Sequence, residues 1–272
     1  MGGSKYKIGV LIALFSAVCF ALSNTFAVLA YNGGTTPFTL SATRFFLPAV
    51  ILLLILSLQG VPIIMSRRSG FIAAILGVVT IIYTLALLMA IEHLPGQLPI
   101  AILIFYLFPI ITGISLTITG GETFTPNKII GAIVAFFGLA LALGVSLDRL
   151  DWFGVLLATI AAIGMAIVSI LSNRLIRGED PRQATLYMAA SALTVMAITM
   201  IIRGEFDLPT NTNGWIGFFL SNILYAAAMI GFFYAISMAG AAATTFFVNL
   251  EPLVVAVAAF VLLGQTLTPF QL

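Results

Sequence analysis

Residues 247–269 read FVNLEPLVVAVAAFVLLGQTLTP, and residues 104–126 read IFYLFPIITGISLTITGGETFTP. At a constant offset of 143 residues, the two segments share a leucine and a proline near their starts and end on the same G-x-T-x-T-P pattern. A second match, GVLIA at 9–13 against GVLLA at 154–158, has an offset of 145 residues. Two matches at nearly the same offset indicate that the chain contains two copies of one structural unit.

The composition decides the solvent in which this unit folds. The 272-residue chain is 61% hydrophobic and 7% charged, with a mean hydropathy of +1.20. Soluble domains carry about 25% charged residues, so this chain is predicted to lie in a lipid bilayer. The net charge of +2 gives no reason to expect a nucleic-acid partner. The single cysteine, Cys19, excludes a disulfide within the chain.

Apolar runs of about 20 residues predict membrane-spanning helices. We find nine of them: 8–30, 38–58, 70–91, 97–118, 128–146, 152–173, 183–202, 214–237 and 241–263. Several runs follow a Thr-Pro or Asp-Pro pair, which suits a helix N-cap with proline at the first helical position. The first run could be a secretory signal, but it is long for one and the repeat supplies its partner, so we interpret it as a retained helix.

Basic residues predict the orientation of these helices. If the spans alternate, eight Lys and Arg residues fall on the side of the N-terminus and two fall on the other side. Cytoplasmic loops are enriched in Lys and Arg, so both termini of the full protein are expected in the cytoplasm. A bacterial inner membrane, crossed many times by one chain, is the expected location.

The repeat also predicts how the helices are divided. We assign residues 1–147 to the first five-helix repeat and residues 148–272 to the second. Thr125-Pro126 should start the fifth helix, and the matching Thr268-Pro269 should start a tenth helix that this chain does not complete. Because each repeat has an odd number of helices, the two copies should have opposite orientations. The expected fold is an all-α membrane protein of ten transmembrane helices, nine of them complete here, in two inverted five-helix repeats.

Three further motifs support a family resemblance. They are the early helix SAVCFALSNTFAVLA (16–30), the arginine in SATRFF (41–46), and a proline-bearing fourth helix with its counterpart VNLEP (248–252) in the ninth. With ten helices in two inverted repeats, these motifs resemble the drug/metabolite transporter superfamily, and within it the EamA branch. The resemblance covers the whole chain and implies export of metabolites, with aromatic amino acid exporters as the nearest match. Related folds also move nucleotide sugars and phosphates.

Two ionisable residues lie inside the predicted spans. Glu251 is near the middle of the ninth, where its repeat counterpart is Phe108, so the architecture alone does not require a carboxylate. An intramembrane charge is expensive and predicts a functional site: Glu251 either contacts substrate, exchanges a proton, or is a buried structural acid. Arg44 lies near the non-cytoplasmic end of the second span, and we interpret it as a structural charge that snorkels or pairs.

Matched prolines and recurrent polar residues predict a substrate site. Pro109 and Pro252 each remove a backbone hydrogen bond, and broken helices at matched positions mark the site in transporters, so we expect a gating kink at both. The remaining candidate substrate-binding residues lie at helical spacing or at matched repeat positions; with Glu251 they are Asn24, Tyr83, Tyr106, Ser169, Asn222, Tyr225 and Asn249. Each could instead pack helices together.

Missing motifs narrow the function. The chain has no G-x-x-x-x-G-K-[ST] loop for ATP and no H-E-x-x-H pair, and its single histidine is His93. We therefore expect no catalytic residues, no metal, no cofactor and no enzyme activity. The predicted function is an exporter of small organic solutes, aromatic amino acids first, that alternates access to a central cavity and works as a monomer. The alternatives are a proton-coupled exporter of cationic drugs and a channel.

Overall fold

The computed structural model describes residues 3–94, 98–118, 151–176, 179–204 and 206–263, and every regular element in these ranges is an α-helix. In chain order the helices are α1 (Gly3–Asn32), α2 (Pro37–Arg44), α3 (Phe46–Leu58), α4 (Arg67–His93), α5 (Leu98–Phe105), α6 (Phe108–Ile118), α7 (Trp152–Ile176), α8 (Pro181–Arg203), α9 (Thr212–Ala239), α10 (Ala241–Val248) and α11 (Glu251–Leu263). The predicted all-α fold is confirmed for this part of the chain.

Seven described segments are long and apolar enough to cross a membrane, and they coincide with seven of the predicted runs. They are Ser4–Asn32, Pro37–Leu58, Arg67–His93, Ile100–Ile118, Trp152–Asn173, Pro181–Arg203 and Thr212–Ala239. The ninth predicted run is present as the shorter helices α10 and α11. The fifth run, at 128–146, lies outside the described residues, as do both predicted helix starts at Thr125-Pro126 and Thr268-Pro269. The chain is a multi-pass membrane protein.

Two of the predicted helix starts have the expected caps. The side chain of Thr36 accepts a hydrogen bond from the backbone N–H of Thr39, and Pro37 follows it at the start of α2. Asp180 caps α8 in the same way through the N–H of Arg182. The Arg182 guanidinium also donates hydrogen bonds to the Asp180 carboxylate, which holds the pKa of Asp180 below its usual value. These caps satisfy backbone donors that a helix start leaves free.

Two long antiparallel helix pairs join the halves of the chain. The helix α1 packs along α9, with Gly33 against Gly214 at one end and Gly9 against Met238 at the other. The second pair is α4 with α7. Among the predicted spans, α1 is the first, α4 the third, α7 the sixth and α9 the eighth. The repeat relates the first span to the sixth and the third span to the eighth, so it maps the α1–α9 pair onto the α7–α4 pair. This pairing supports the division into repeats, which stays a prediction.

The fourth and ninth predicted runs are broken at matched positions. Two turn residues, 106–107, separate α5 from α6, and two more, 249–250, separate α10 from α11. At the repeat offset of 143 residues these breaks coincide, and Pro109 and Pro252 are both the second residue of the helix that follows. Each run is therefore two helices rather than one kinked helix.

One backbone hydrogen bond is repeated at both breaks. Leu107 N–H donates to the carbonyl of Ile104 at 3.1 Å, and Leu250 N–H donates to the carbonyl of Phe247 at 3.2 Å. Each bond reaches three residues back, which is the tighter 3₁₀ pattern that often marks a hinge within a helix. The two breaks thus share a proline, this hydrogen bond and their position along the run.

Candidate functional site

A cavity lies where the broken runs face α1, α4 and α9. Four residues that the sequence singled out line it, namely Asn24, Tyr83, Tyr225 and Glu251. Arg44, which we interpreted as a structural charge, also lines it. The cavity leaves about 20 Å³ for the centre of a water molecule, which is room for about one water. Sites for organic ligands measure several hundred Å³, so the described conformation is a contracted one.

Glu251 connects three helices at one wall of the cavity. Its side chain, on the first residue of α11, is 2% exposed. Oε1 accepts a hydrogen bond from Asn24 Nδ2 on α1 at 3.0 Å, and Oε2 lies 2.5 Å from the Tyr106 hydroxyl at the break between α5 and α6. The predicted residues Asn24 and Tyr106 thus both form hydrogen bonds with Glu251, although Tyr106 is not part of the cavity lining.

The Tyr106 hydroxyl also satisfies the backbone at the second break. It lies 3.0 Å from the carbonyl oxygen of Val248, the last residue of α10. In a continuous helix this carbonyl would accept from the residue four positions later, but that residue is Pro252, which has no N–H. The proline therefore frees the carbonyl, as predicted from the sequence, and a side chain from the other half of the chain takes its place.

Arg44 is held at another wall and forms no ion pair with any described residue. It is 1% exposed, and its Nη2 donates to Ser221 Oγ at 2.8 Å and to the Ser23 carbonyl at 3.4 Å. Its guanidinium carbon lies 5.0 Å from the centre of the Tyr225 ring. Arg44 and Glu251 line the same cavity but form no salt bridge with each other. The predicted snorkelling to the interface is therefore wrong, because serine groups and an aromatic face hold the cation inside the protein.

Aromatic rings form much of the remaining wall. The Tyr225 ring meets Phe20 edge-on at 5.9 Å and Phe45 edge-on at 5.4 Å between ring centres. Tyr83 stacks with Phe105 at 6.5 Å. The Tyr225 hydroxyl is 3.2 Å from Thr84 Oγ1, which links α9 to α4. Edge-on and offset contacts are the favoured geometries for rings, so these side chains form an ordered apolar surface beside the two charged groups.

The repeat offsets relate lining residues that the sequence analysis did not single out. Three pairs in the cavity wall are matched by them: Phe20 with Met165 at 145 residues, and Phe105 with Val248 and Phe108 with Glu251 at 143 residues. Applying the offset to Glu251 and its neighbours would therefore have found Phe108 and Phe105. Helical spacing from Tyr83 marks Leu87, which lies four residues later on the same face of α4, whereas nothing in the sequence pattern marks Thr84.

Three predicted site residues lie elsewhere. Ser169 donates its hydroxyl hydrogen to the carbonyl of Met165 within α7 at 2.7 Å. Asn222 donates to the carbonyl of Phe218 within α9 at 2.8 Å and is absent from the cavity lining. Asn249 ends α10 at the break. The first two side chains bond to their own helices, and a substrate role for all three stays a prediction.

Comparison with known proteins decides the class of this molecule. The sequence profile of the EamA-like transporter family matches residues 7–144 and 152–272. The chain belongs to this family. The two matched ranges leave out residues 1–6 and 145–151, and the repeat boundary at 147 stays a prediction. This is a family of membrane transporters rather than of enzymes.

Two individual proteins show how far the likeness extends. The uncharacterized transporter YvbV of Bacillus subtilis (strain 168) is 25% identical over 197 residues, which cover 70% of this chain and 62% of YvbV. The chain therefore spans less than two thirds of that relative. A protein of known crystal structure matches 100% of this chain and 93% of its own with a TM-score of 0.76 and 18% identity. At that identity the match shows a shared fold.

Within the described residues, no group of three His, Cys, Asp or Glu side chains could hold a metal ion. The expectation that transport needs no metal or cofactor stays a prediction.

Proposed function

We propose that this EamA-family protein exports small organic solutes across the bacterial inner membrane by alternating access, with aromatic amino acids as the leading substrates. The observation that carries the proposal is the composition of the cavity wall. The aromatic rings of Phe20, Phe105 and Phe108 stand beside one buried cation and one buried carboxyl group. Ligand sites of this kind combine an apolar body with a few polar groups that fix orientation.

The substrate class follows from that wall. An aromatic amino acid has a flat apolar ring, an ammonium group and a carboxylate. The rings of Phe20, Tyr83 and Phe105 suit the first, and Glu251 and Arg44, which do not pair with each other, suit the other two. The motifs SATRFF and VNLEP resemble the EamA branch as a whole, and the nearest match within that branch, the aromatic amino acid exporters, favours the same substrate.

The mechanism follows from the breaks. A cavity with room for about one water cannot hold an amino acid, so the helices must move apart for a solute to enter. The two breaks, at 106–107 and 249–250, adjoin the lining residues Phe105, Phe108 and Glu251. Motion at both breaks would open the cavity to one side of the membrane at a time, as expected for inverted repeats.

Flux into proteoliposomes tests the proposal. Purified full-length chain should accumulate labelled phenylalanine by exchange against unlabelled phenylalanine inside, with a saturable rate that tryptophan and tyrosine inhibit. Empty liposomes and protein heated past unfolding are the controls. A rate that rises linearly with concentration and shows no exchange would indicate a channel. Failure of every aromatic amino acid to compete would contradict the substrate.

A proton-coupled exporter of cationic drugs is the second candidate, favoured by the buried Glu251. The same vesicles distinguish it. An imposed pH difference would drive uptake of an aromatic cation such as ethidium, and phenylalanine would not compete. The proposal includes a monomeric protein, a location in the inner membrane and cytoplasmic termini. The proposed partners are the small-molecule substrate and the lipid bilayer, with no nucleic acid.

A further inference from the structure

Arg44 is a buried cation whose donors are only partly used. Both hydrogen bonds that it makes come from Nη2, and its Nε is buried without a partner among the described residues. A buried polar group without a partner destabilises the protein unless something else offsets the cost. The guanidinium lines the cavity, so a group that enters the cavity can satisfy it: the one water for which there is room, or an acceptor on a solute that replaces this water.

Among the described residues, no carboxylate forms an ion pair with Arg44. Counted over the whole sequence, Glu251 is the single acidic residue inside a predicted span. Its two oxygens are engaged by Asn24 and Tyr106, and it forms no ion pair with Arg44. Buried charges in membrane proteins pair with one another or with backbone carbonyls, and they mark substrate and ion pathways. Arg44 has one long carbonyl contact, 3.4 Å to Ser23, and no carboxylate partner among the described residues. The missing partner of Arg44 is therefore expected to arrive with the solute.

The surroundings hold the guanidinium in one orientation. Ser221 accepts from Nη2 and itself donates to the Ser23 carbonyl at 2.9 Å, so α1 and α9 fix one end of the group. The Tyr225 ring lies 5.0 Å from the guanidinium carbon and covers its face. An Arg held in this way presents its remaining N–H groups at its edge, which is the geometry that binds carboxylates.

We propose that Arg44 is the carboxylate-binding residue of the cavity, so that the transported solutes are those with a carboxylate beside an apolar or aromatic body. This inference deepens the proposed function and rests on it for the place of the solute. A single cation suits the single charge of a carboxylate. The ammonium of an amino acid would lie toward Glu251 on the other wall.

The experiment uses matched pairs of ligands that differ only in the acid group. Purified full-length protein in detergent is titrated with phenylalanine against phenylalaninamide and with 3-phenylpropionate against 3-phenylpropionamide, and the midpoint of thermal unfolding reports binding. Wild type should bind each acid about tenfold or more tightly than its amide, because a hydrogen bond to a charged group is a strong one. Arg44→Gln should bring each ratio to about one.

Two further variants keep the test decisive. Arg203→Gln removes a cation that lies over Phe38, outside the cavity lining, and should keep the wild-type ratios. Arg44→Lys keeps the charge but loses the planar fork, so its ratios should fall between those of wild type and Arg44→Gln; it serves if the Gln variant fails to fold.

The outcomes separate this inference from the proposed function. Wild-type ratios near one for both pairs would overturn the carboxylate site, as would an Arg44→Gln protein that keeps the wild-type preference. Preference for 3-phenylpropionate with no flux of any aromatic amino acid would uphold the site and reject the substrate. Flux of aromatic amino acids with equal binding of acids and amides would uphold the proposed substrate and overturn the carboxylate site.

Discussion

At Glu251 the position of one proton decides which hydrogen bonds are satisfied. The Tyr106 hydroxyl has one hydrogen and two neighbours, the Val248 carbonyl at 3.0 Å and Glu251 Oε2 at 2.5 Å. The carbonyl can only accept. If Glu251 is protonated, it donates to Tyr106 while Tyr106 donates to Val248, and every contact is satisfied. If Glu251 is ionised, both neighbours compete for one hydrogen.

This competition predicts the effect of Glu251→Gln. The amide nitrogen can donate to Tyr106 and the amide oxygen can accept from Asn24, so the variant should fold with wild-type yield and resemble the protonated carboxyl group. If Glu251 exchanges a proton during transport, wild-type flux varies with pH and the variant's flux does not. The measurement is the initial rate of transport in proteoliposomes at several pH values between about 5 and 8.

The exposed carboxylate of Glu92, at the end of α4, provides the control. Glu92→Gln should keep the wild-type pH profile. A Glu251→Gln protein with unchanged rate, affinity and pH profile would show that Glu251 has only a structural role.

Tyrosine and asparagine on α9 should respond differently to the same substitution. Tyr225→Leu removes a ring that lines the cavity and covers Arg44, so the affinity for transported solute should fall about tenfold or more. Asn222→Leu changes a side chain that bonds its own helix and lies outside the cavity lining, so transport should stay within about twofold of wild type. Competition assays at equal protein yield make the comparison. Equal losses would mean that the cavity wall is assigned wrongly.

At the scale of the helices, each break depends on the backbone N–H group that its proline lacks. An alanine at Pro252 would offer an N–H to the Val248 carbonyl and compete with Tyr106 for it. Pro252→Ala should therefore join α10 to α11 and slow the exchange of conformations, lowering the maximal rate while the affinity changes little. Pro181→Ala, at the start of α8 where no such bond is missing, should leave the rate unchanged. A weakened affinity with a normal rate in Pro252→Ala would contradict the hinge.

Close helix packing makes a second prediction at this scale. A Cβ added at Gly217 on α9 would lie 2.7 Å from the backbone carbonyl oxygen of Phe26 and the backbone nitrogen of Ala30 on α1. Backbone atoms cannot yield without moving a helix, so Gly217→Ala should lower stability by roughly 1–3 kcal/mol. Gly231→Ala meets chiefly the small side chain of Ser16 and should cost less. Thermal unfolding in detergent ranks the two, and the reverse order would contradict the packing.

For the whole molecule, the charge distribution predicts a topology that labelling can test. Asn32 and Ser66 are both exposed at opposite ends of the spans. In a Cys19→Ala background, Asn32→Cys should react in intact cells with a thiol reagent that does not cross the membrane, and Ser66→Cys should react only after lysis. Gly33 is unsuitable as a labelling site because an added Cβ would collide with Gly214. The reverse pattern would invert the predicted orientation.

Hydropathy and repetition in the sequence determined the class of fold. Apolar runs of about 20 residues require helices because a bilayer offers no other partner to backbone groups, and seven of them were confirmed. The offset of 143 residues also located both helix breaks, since proline acts on its own backbone whatever surrounds it. An effect that depends on one residue and its near neighbours along the chain can therefore be predicted from the sequence.

Tertiary structure alone decided which side chains meet. The sequence left open whether Arg44 snorkels to the interface or pairs inside the protein. Ser23, Ser221 and Tyr225 on two other helices hold it inside. The sequence also weighted Asn222 and Tyr225 alike, although they are only three residues apart on α9 and one lines the cavity while the other does not. The physical reason is that helical periodicity identifies a face, whereas the neighbouring helix and its rotation decide what that face contacts.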